Sequence, residues 1–226
     1  MAEEKAEAPA TPTSSTPTPT APSSPKSDSV VLYHVPASRS TRVRWLIEEL
    51  GVDVTIKSVD WAYLKTDDFF KVNPNQKVPA LVHGSMRLWE AGAIMQYLID
   101  LKKDTPLIPK TWTDEQRTRH SMYTFWTITT LDIMYWPNFF KQKWFNKVVA
   151  PVMIGHLGTN EYINGNTFTA TDVYVGYSLW WAHRSGLLRD SVCKPLQAYY
   201  ERVSSRAGFK RVFTVDSNFE ATLNTN

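Results

Sequence analysis

Between Val30 and Leu101 the apolar residues switch repeatedly between short continuous runs and a helical spacing, and beyond Leu101 the short runs stop. That change of period constrains the fold most, because strands repeat every two residues and helices about every 3.6. Val30-Val31-Leu32-Tyr33-His34 predicts a buried strand. Val43, Leu46, Ile47 and Leu50 follow at helical spacing and meet Gly51, which predicts an amphipathic helix with a glycine stop. Val54 to Val59 alternates and is β-branched, a second strand, and Asp67 to Val72 predicts a short helix. Val78 to Val82 and Met86 to Trp89 read as strands joined across His83-Gly84-Ser85, and Ile94, Tyr97, Leu98 and Leu101 mark the next helix. The order β-α-β-α-β-β-α predicts a small mixed α/β module over residues 29–101.

Residues 102–112, with Lys102-Lys103-Asp104 and two prolines, read as a linker, and 113–226 as an all-helical unit. Thr113 to Met134 predicts one long helix with Asp114 and Glu115 in its first turn, where the helix dipole favours acids. Thr169-Ala170-Thr171-Asp172 has the spacing of a capping box, with Phe168 and Val173 placed as a hydrophobic staple. The helix it opens is apolar on nearly every side and is expected at the centre of the core. Pro195 opens another, with Leu196, Tyr199, Tyr200 and Val203 on one face. The stretch from Asn138 to Asn164 looks too short for the end of one helix and a full second one, so a shortened or missing helix is expected there. Residues 1–28 hold six prolines among Ser and Thr, with little apolar surface to offset ordering entropy, and are expected to be a disordered tail.

Composition excludes several functions. With 42% hydrophobic and 21% charged residues the chain of 226 can bury a core, and a net charge of +3 without a basic run calls for no nucleic-acid partner. One cysteine, Cys193, rules out a disulfide framework and fits a reducing, cytoplasmic setting. No apolar run is long enough to span a membrane. The five histidines lack metal-ligand spacing, so no metal site is expected.

Four local features carry chemistry. At Tyr33 to Ser40 a strand turns into a helix, whose free N–H groups and partial positive charge would stabilise an anion such as a thiolate. Ser38 or Ser40 offers a hydroxyl there, although either also reads as the helix N-cap. Val78-Pro79 precedes a strand; a cis bond would aim the Val78 backbone at a peptide-like ligand, while a trans turn is the plain alternative. Trp89-Glu90-Ala91-Gly92 opens a helix that would receive a carboxylate, unless Glu90 only caps it. Gln76 and Lys77 offer an amide and a cation to a second carboxylate, or form an exposed loop.

Taken in order, Leu32-Tyr33-His34 through Ser38-Arg39-Ser40-Thr41-Arg42-Val43, Leu46-Ile47-Glu48-Glu49-Leu50-Gly51, Asn73 through Leu81 and Leu88 through Ile94 resemble the cytosolic glutathione transferases. Asn164-Gly165 and Phe168 to Val173 are similar to that family's buried capping motif, and Arg206 to Val212 to its C-terminal helix. The resemblance implies a thioredoxin-like α/β domain that binds glutathione, followed by an all-α domain. It implies conjugation of the glutathione thiolate to hydrophobic electrophiles, with glutathione as co-substrate and no metal, in a homodimer. A non-catalytic ligand-binding or protein-interaction module on the same fold is the alternative. Ser38 falls where serine-type members keep the hydroxyl that donates to sulfur, with Tyr33 and then Ser40 as further candidates. Val78 would pair with the cysteinyl backbone, Pro79 would be cis, Gln76 and Lys77 would face the glycyl carboxylate, and Glu90 and Ala91 would hold the γ-glutamyl end. Ala91 departs from the family's usual Ser; losing that hydroxyl would weaken binding by about 1–3 kcal/mol. An aromatic electrophile wall is expected from about a third of the rings Tyr123, Trp126, Tyr135, Trp136, Phe139 and Phe140, the others belonging to the core. Cys193 is expected to be a packed core residue.

Overall fold

The computed structural model describes residues 29–132 and 142–223, with side chains described to Asp216 in the last helix. The tail of residues 1–28, Tyr135, Trp136, Phe139 and Phe140 lie outside the described residues. The first part holds β1 (Val30–His34), α1 (Ser40–Leu50), β2 (Thr55–Ser58), α2 (Asp67–Phe70), β3 (Ala80–His83), β4 (Met86–Trp89) and α3 (Ala91–Leu101). Its four strands lie in the order β2-β1-β3-β4, with β1 parallel to β2 and antiparallel to β3, and β3 antiparallel to β4. Gly51 ends α1 in the left-handed conformation, its N–H donating to the Ile47 carbonyl, as a glycine stop requires.

The rest is mostly helical: α4 (Asp114–Trp126), α5 (Gln142–Trp144), α6 (Ala150–Leu157), α7 (Ala170–Arg184), α8 (Lys194–Ser204) and α9 (Ala207–Leu223). The predicted long helix is α4 followed by a π-helical turn over Thr127–Leu131; Met134 lies outside the described residues. Of the expected shortened or missing helix, the second alternative is corrected: a helix is present. Residues 142–157 form one continuous helical segment, in which a π-helical stretch, Phe145–Val149, joins α5 to α6. Among the described residues, no helix is long and apolar enough to cross a membrane.

Two faces of β1 divide the core. Val30, Leu32 and His34 turn toward α1, while Tyr33 and Val35 pack with Phe69, Leu64 and Tyr63 around α2. α1 is buried between the sheet and the helical part. Its Trp45 meets Phe209 and Phe213 edge-on at 5.1 and 5.7 Å. A Cβ on Gly176 of α7 would lie 2.8 Å from Val203 and 2.9 Å from Trp45, so glycine permits this close approach. The capping box at Thr169 and Asp172 forms as predicted. Asp172 is fully buried and accepts from the Ile163 and Thr169 N–H groups at 3.0 and 2.8 Å and from the Tyr199 hydroxyl at 2.7 Å. Cys193 is buried.

His120 of α4 is buried against Trp112 and Tyr174, with Nδ1 2.9 Å from the Thr171 hydroxyl. Burial disfavours its charged form and lowers its pKa from 6.5 to about 4. The unfolded chain therefore takes up this proton at higher pH than the folded one, and stability falls as pH drops through that window. Between pH 7 and pH 5 this group should cost about 2 kcal/mol of unfolding free energy. In urea titrations, His120→Asn should flatten the pH dependence by that amount.

Candidate active site

The site grows from three turns that hold unusual backbone. Among the described residues, the non-glycine residues with positive φ are Ala37 (55°), Gln76 (52°) and Glu90 (76°). Such conformations cost free energy and persist only where the surroundings impose them. They belong to the β1–α1 corner, the segment leading into β3, and the entry to α3. The Val78–Pro79 bond between the last two is cis, as expected.

These turns surround two adjoining cavities that share Arg39, Lys77 and Val78. One, of about 230 Å³, is polar: Asn73, Asn75, Glu90 and Asp132 line it with the shared residues, above Pro79 and Ala91 at the start of α3. The other, of about 410 Å³, is bounded by Ala37, Ser38, Trp61, Tyr177 and Trp181. A zwitterionic, peptide-like group suits the first, and an apolar ring system suits the second.

Ser38 reaches the aromatic cavity at the start of α1. Its Oγ lies 2.7 Å from the Val35 carbonyl and 2.7 Å from Ser40 Oγ, and accepts from the Ser40 N–H at 3.2 Å. Ser40 is fully buried behind it and lines neither cavity. The turn is held from below by Asp216 of α9, which is itself fully buried. Its carboxylate accepts from the Ala37 N–H at 3.3 Å and from Arg44 at 3.0 Å, and it bonds Thr41 and His34 as well. Burial pushes the Asp216 carboxyl up, but His34, Thr41 and the Ala37 N–H together favour the anion and leave its pKa below the ordinary value.

Tyr33 is placed elsewhere. It points to the opposite sheet face from His34, stacks on Tyr63 at 6.5 Å and lies beneath the Lys57 ammonium. Gln76 lines neither cavity, whereas Lys77, Val78, Pro79, Glu90 and Ala91 do. Glu90 makes no side-chain cap to α3. Of the six candidate wall rings, the two that are described belong with the core. Tyr123 is fully buried and bonds His156 at 2.6 Å, Trp126 packs on it, and the rings at the cavity are Trp61, Tyr177 and Trp181.

Residues 28–100 match the family described as glutathione S-transferase, N-terminal domain. Glutathione S-transferase 3 of Schizosaccharomyces pombe is 26% identical over 207 residues, spanning 78% of this chain and 84% of the yeast protein. The structure of a glutathione transferase from Methylococcus capsulatus superposes with a TM-score of 0.68 at 25% identity, covering 83% of this chain and 98% of the other. That of a sphingomonad glutathione S-transferase complexed with glutathione gives 0.69 at 24%, over 83% and 98% of the two chains. Residues 28–100 form a glutathione S-transferase N-terminal domain, and the chain is similar to glutathione transferases over most of its length.

For a glutathione transferase relative, the residues that sequence reading missed are Arg39, Asn73, Asn75, Trp61, Tyr177, Trp181 and Asp132. Asp132 follows the π-helical turn, is 3% exposed, and pairs with the fully buried Arg42, whose guanidinium lies 4.1 Å from the Tyr177 ring centre. Arg39 approaches the same carboxylate at 3.4 Å from a side chain that is 46% exposed. Nothing in the local spacing of Arg42 and Asp132 announces that pair; only the fold joins them. Removing one member of a buried ion pair strands the other charge. Asp132→Ala should therefore cost about 3 kcal/mol or more in chemical denaturation, whereas Arg39→Ala should cost less than about 1 kcal/mol.

Proposed function

We propose that this chain is a serine-type glutathione transferase that conjugates the glutathione thiolate to hydrophobic electrophiles. The observation that carries the reading is the Ser38 hydroxyl at the start of α1, where a polar cavity adjoins an aromatic one. A free thiol ionises near pH 8.5 and is mostly protonated at neutrality. A hydroxyl donor together with the α1 N-terminus favours the thiolate, and no covalent enzyme intermediate is needed. Catalysis then comes from the ionised sulfur and from holding both reactants side by side.

The rest of glutathione fits the polar cavity. The γ-glutamyl carboxylate would meet the N–H of Ala91 at the start of α3, and its ammonium would face Glu90 and Asp132. The cysteinyl backbone would pair with Val78, while Lys77 and Arg39, with Gln76 at the edge, would receive the glycyl carboxylate. Trp61, Tyr177 and Trp181 would take an apolar electrophile by removing its surface from water. In this reading residues 29–101 form the glutathione-binding domain, residues 113–226 the helical domain, and detoxification in the cytoplasm is the setting. Homodimerisation is supported by exposed apolar side chains on α4 and the neighbouring segment, Met122 at 44%, Phe125 at 67%, Val148 at 42% and Val152 at 41%.

Turnover of a generic aromatic electrophile tests the reading. Ser38→Ala should keep glutathione affinity within a few-fold and lower kcat roughly 10- to 100-fold, the worth of one hydrogen bond to a charged group. Retention on a glutathione column without turnover would leave a binding module, and no retention would remove the reading altogether. Ala91→Ser, which supplies the family's usual hydroxyl, should tighten glutathione binding roughly tenfold by calorimetry.

A further inference from the structure

Behind Ser38 runs a line of polar side chains that thiolate stabilisation by one hydroxyl does not require. Asp216 Oδ1 lies 3.3 Å from His34 Nε2, His34 Nδ1 lies 2.7 Å from Ser40 Oγ, and Ser40 Oγ lies 2.7 Å from Ser38 Oγ. His34, Ser40 and Asp216 are fully buried, and Ser38 lines the aromatic cavity. An ionised carboxylate only accepts, so Asp216 fixes the imidazole hydrogen on Nε2. Nδ1 is then the acceptor and takes the Ser40 hydroxyl hydrogen. Ser40 Oγ in turn accepts from the Val35 N–H at 3.2 Å; the Ser38 hydroxyl has two acceptors at 2.7 Å, the Val35 carbonyl and Ser40 Oγ, and joins the line when it turns from the first to the second, the carbonyl lying 3.1 Å from Ser40 Oγ as well. Ser38 Oγ, which accepts one hydrogen from the Ser40 N–H, keeps a lone pair for a proton arriving from the cavity. Among the described residues, the charged groups paired with the imidazole and its carboxylate are Asp216 from α9 and Arg44 from α1, at 3.0 Å from Asp216.

We propose that Asp216, His34 and Ser40 form a relay that draws the thiol proton of bound glutathione inward through Ser38. The S–H bond breaks and its electron pair stays on sulfur. The proton passes to Ser38 Oγ, the Ser38 proton to Ser40 Oγ, and the Ser40 proton to His34 Nδ1. The imidazolium so formed faces the Asp216 carboxylate, and every hydrogen bond in the line then points outward to the thiolate. After the carbon–sulfur bond forms, the reverse passage returns the proton to the departing anion or to the carbon that gained charge. His34 and Asp216 act through Ser38 and are positioning residues; they do not touch the substrate. The relay rests on the reading of Ser38 as the residue at the sulfur.

The test measures three quantities for the full chain: glutathione affinity by calorimetry, the acidity of the bound thiol from its ultraviolet thiolate absorbance against pH, and kcat. Asp216→Asn and Ser40→Ala should hold glutathione within about twofold, raise the bound thiol pKa by about one unit, and lower kcat at neutral pH about tenfold, with KM for the electrophile unchanged. Glu49→Gln, which loosens the contact of Glu49 with Arg206 far from the cavities, should lower the melting temperature and leave the thiol pKa in place. If Asp216→Asn does not fold, Ser40→Ala decides alone. A bound thiol that stays as acidic in the variants as in the parent overturns the relay and leaves the Ser38 reading standing. A parent that binds no glutathione, or a Ser38→Ala variant whose bound thiol is unchanged, removes the Ser38 reading and the relay with it.

Discussion

A carboxylate taken wholly out of water must be met by donors, and the Asp216 side chain is met from three directions. The β1 strand offers His34, the strained turn offers the Ala37 N–H, and α1 offers Thr41 and Arg44. Leaving such a group unpaired would cost several kcal/mol, so the last helix and the first corner of the fold hold one another in place. Glu49 ties α1 to the residue before α9 at a separate point: Arg206 binds it through two nitrogens, at 3.1 and 2.7 Å, while Trp45 donates to it at 3.0 Å. The geometry around Ser38 therefore depends on residues about 180 positions away in sequence, as His34 and Asp216 are 182 apart.

Strain and chemistry coincide in this molecule. Ala37, Gln76 and Glu90 hold backbone conformations that side chains disfavour, and each stands in a turn that opens onto the cleft or leads into its wall. The cleft is also divided by character. Charged and amide groups gather under α3, and indole and phenol rings gather between α7 and the loop after β2. A ligand with one zwitterionic end, a sulfur and an apolar reaction partner meets each part in turn, with Ser38 at the boundary.

Much of this was legible in the sequence because it is local. The β1 and α1 boundaries, the Gly51 stop, the capping box at Thr169 and the buried face of α8 follow from periodicity and caps that lie within a few residues of one another. The cis bond at Val78-Pro79 and the lining role of Lys77, Glu90 and Ala91 were legible through resemblance, since those positions form a contiguous pattern. What was not legible joins distant segments. His34 read as one of five scattered histidines, and Asp216 as an unremarked acid on the last helix. Tyr177 and Trp181 read as core because the whole of α7 is apolar, although their side chains reach a cavity. The short stretch before Asn164 concealed a helix because π-helical turns blur the spacing on which helix reading depends.

The π-helical turn at Thr127–Leu131 has an effect on chain length as well. Such a turn holds one residue more than an α-helical turn, and each residue in a helix advances by about 100°. Wound as a regular helix, the same residues would carry Asp132 about a quarter-turn further around the axis, off the guanidinium of Arg42 and out of the cleft wall, whereas deleting one residue there would restore the regular helix with Asp132 still in phase. At this point the winding of the backbone, as much as the identity of the residues, determines where the charge falls.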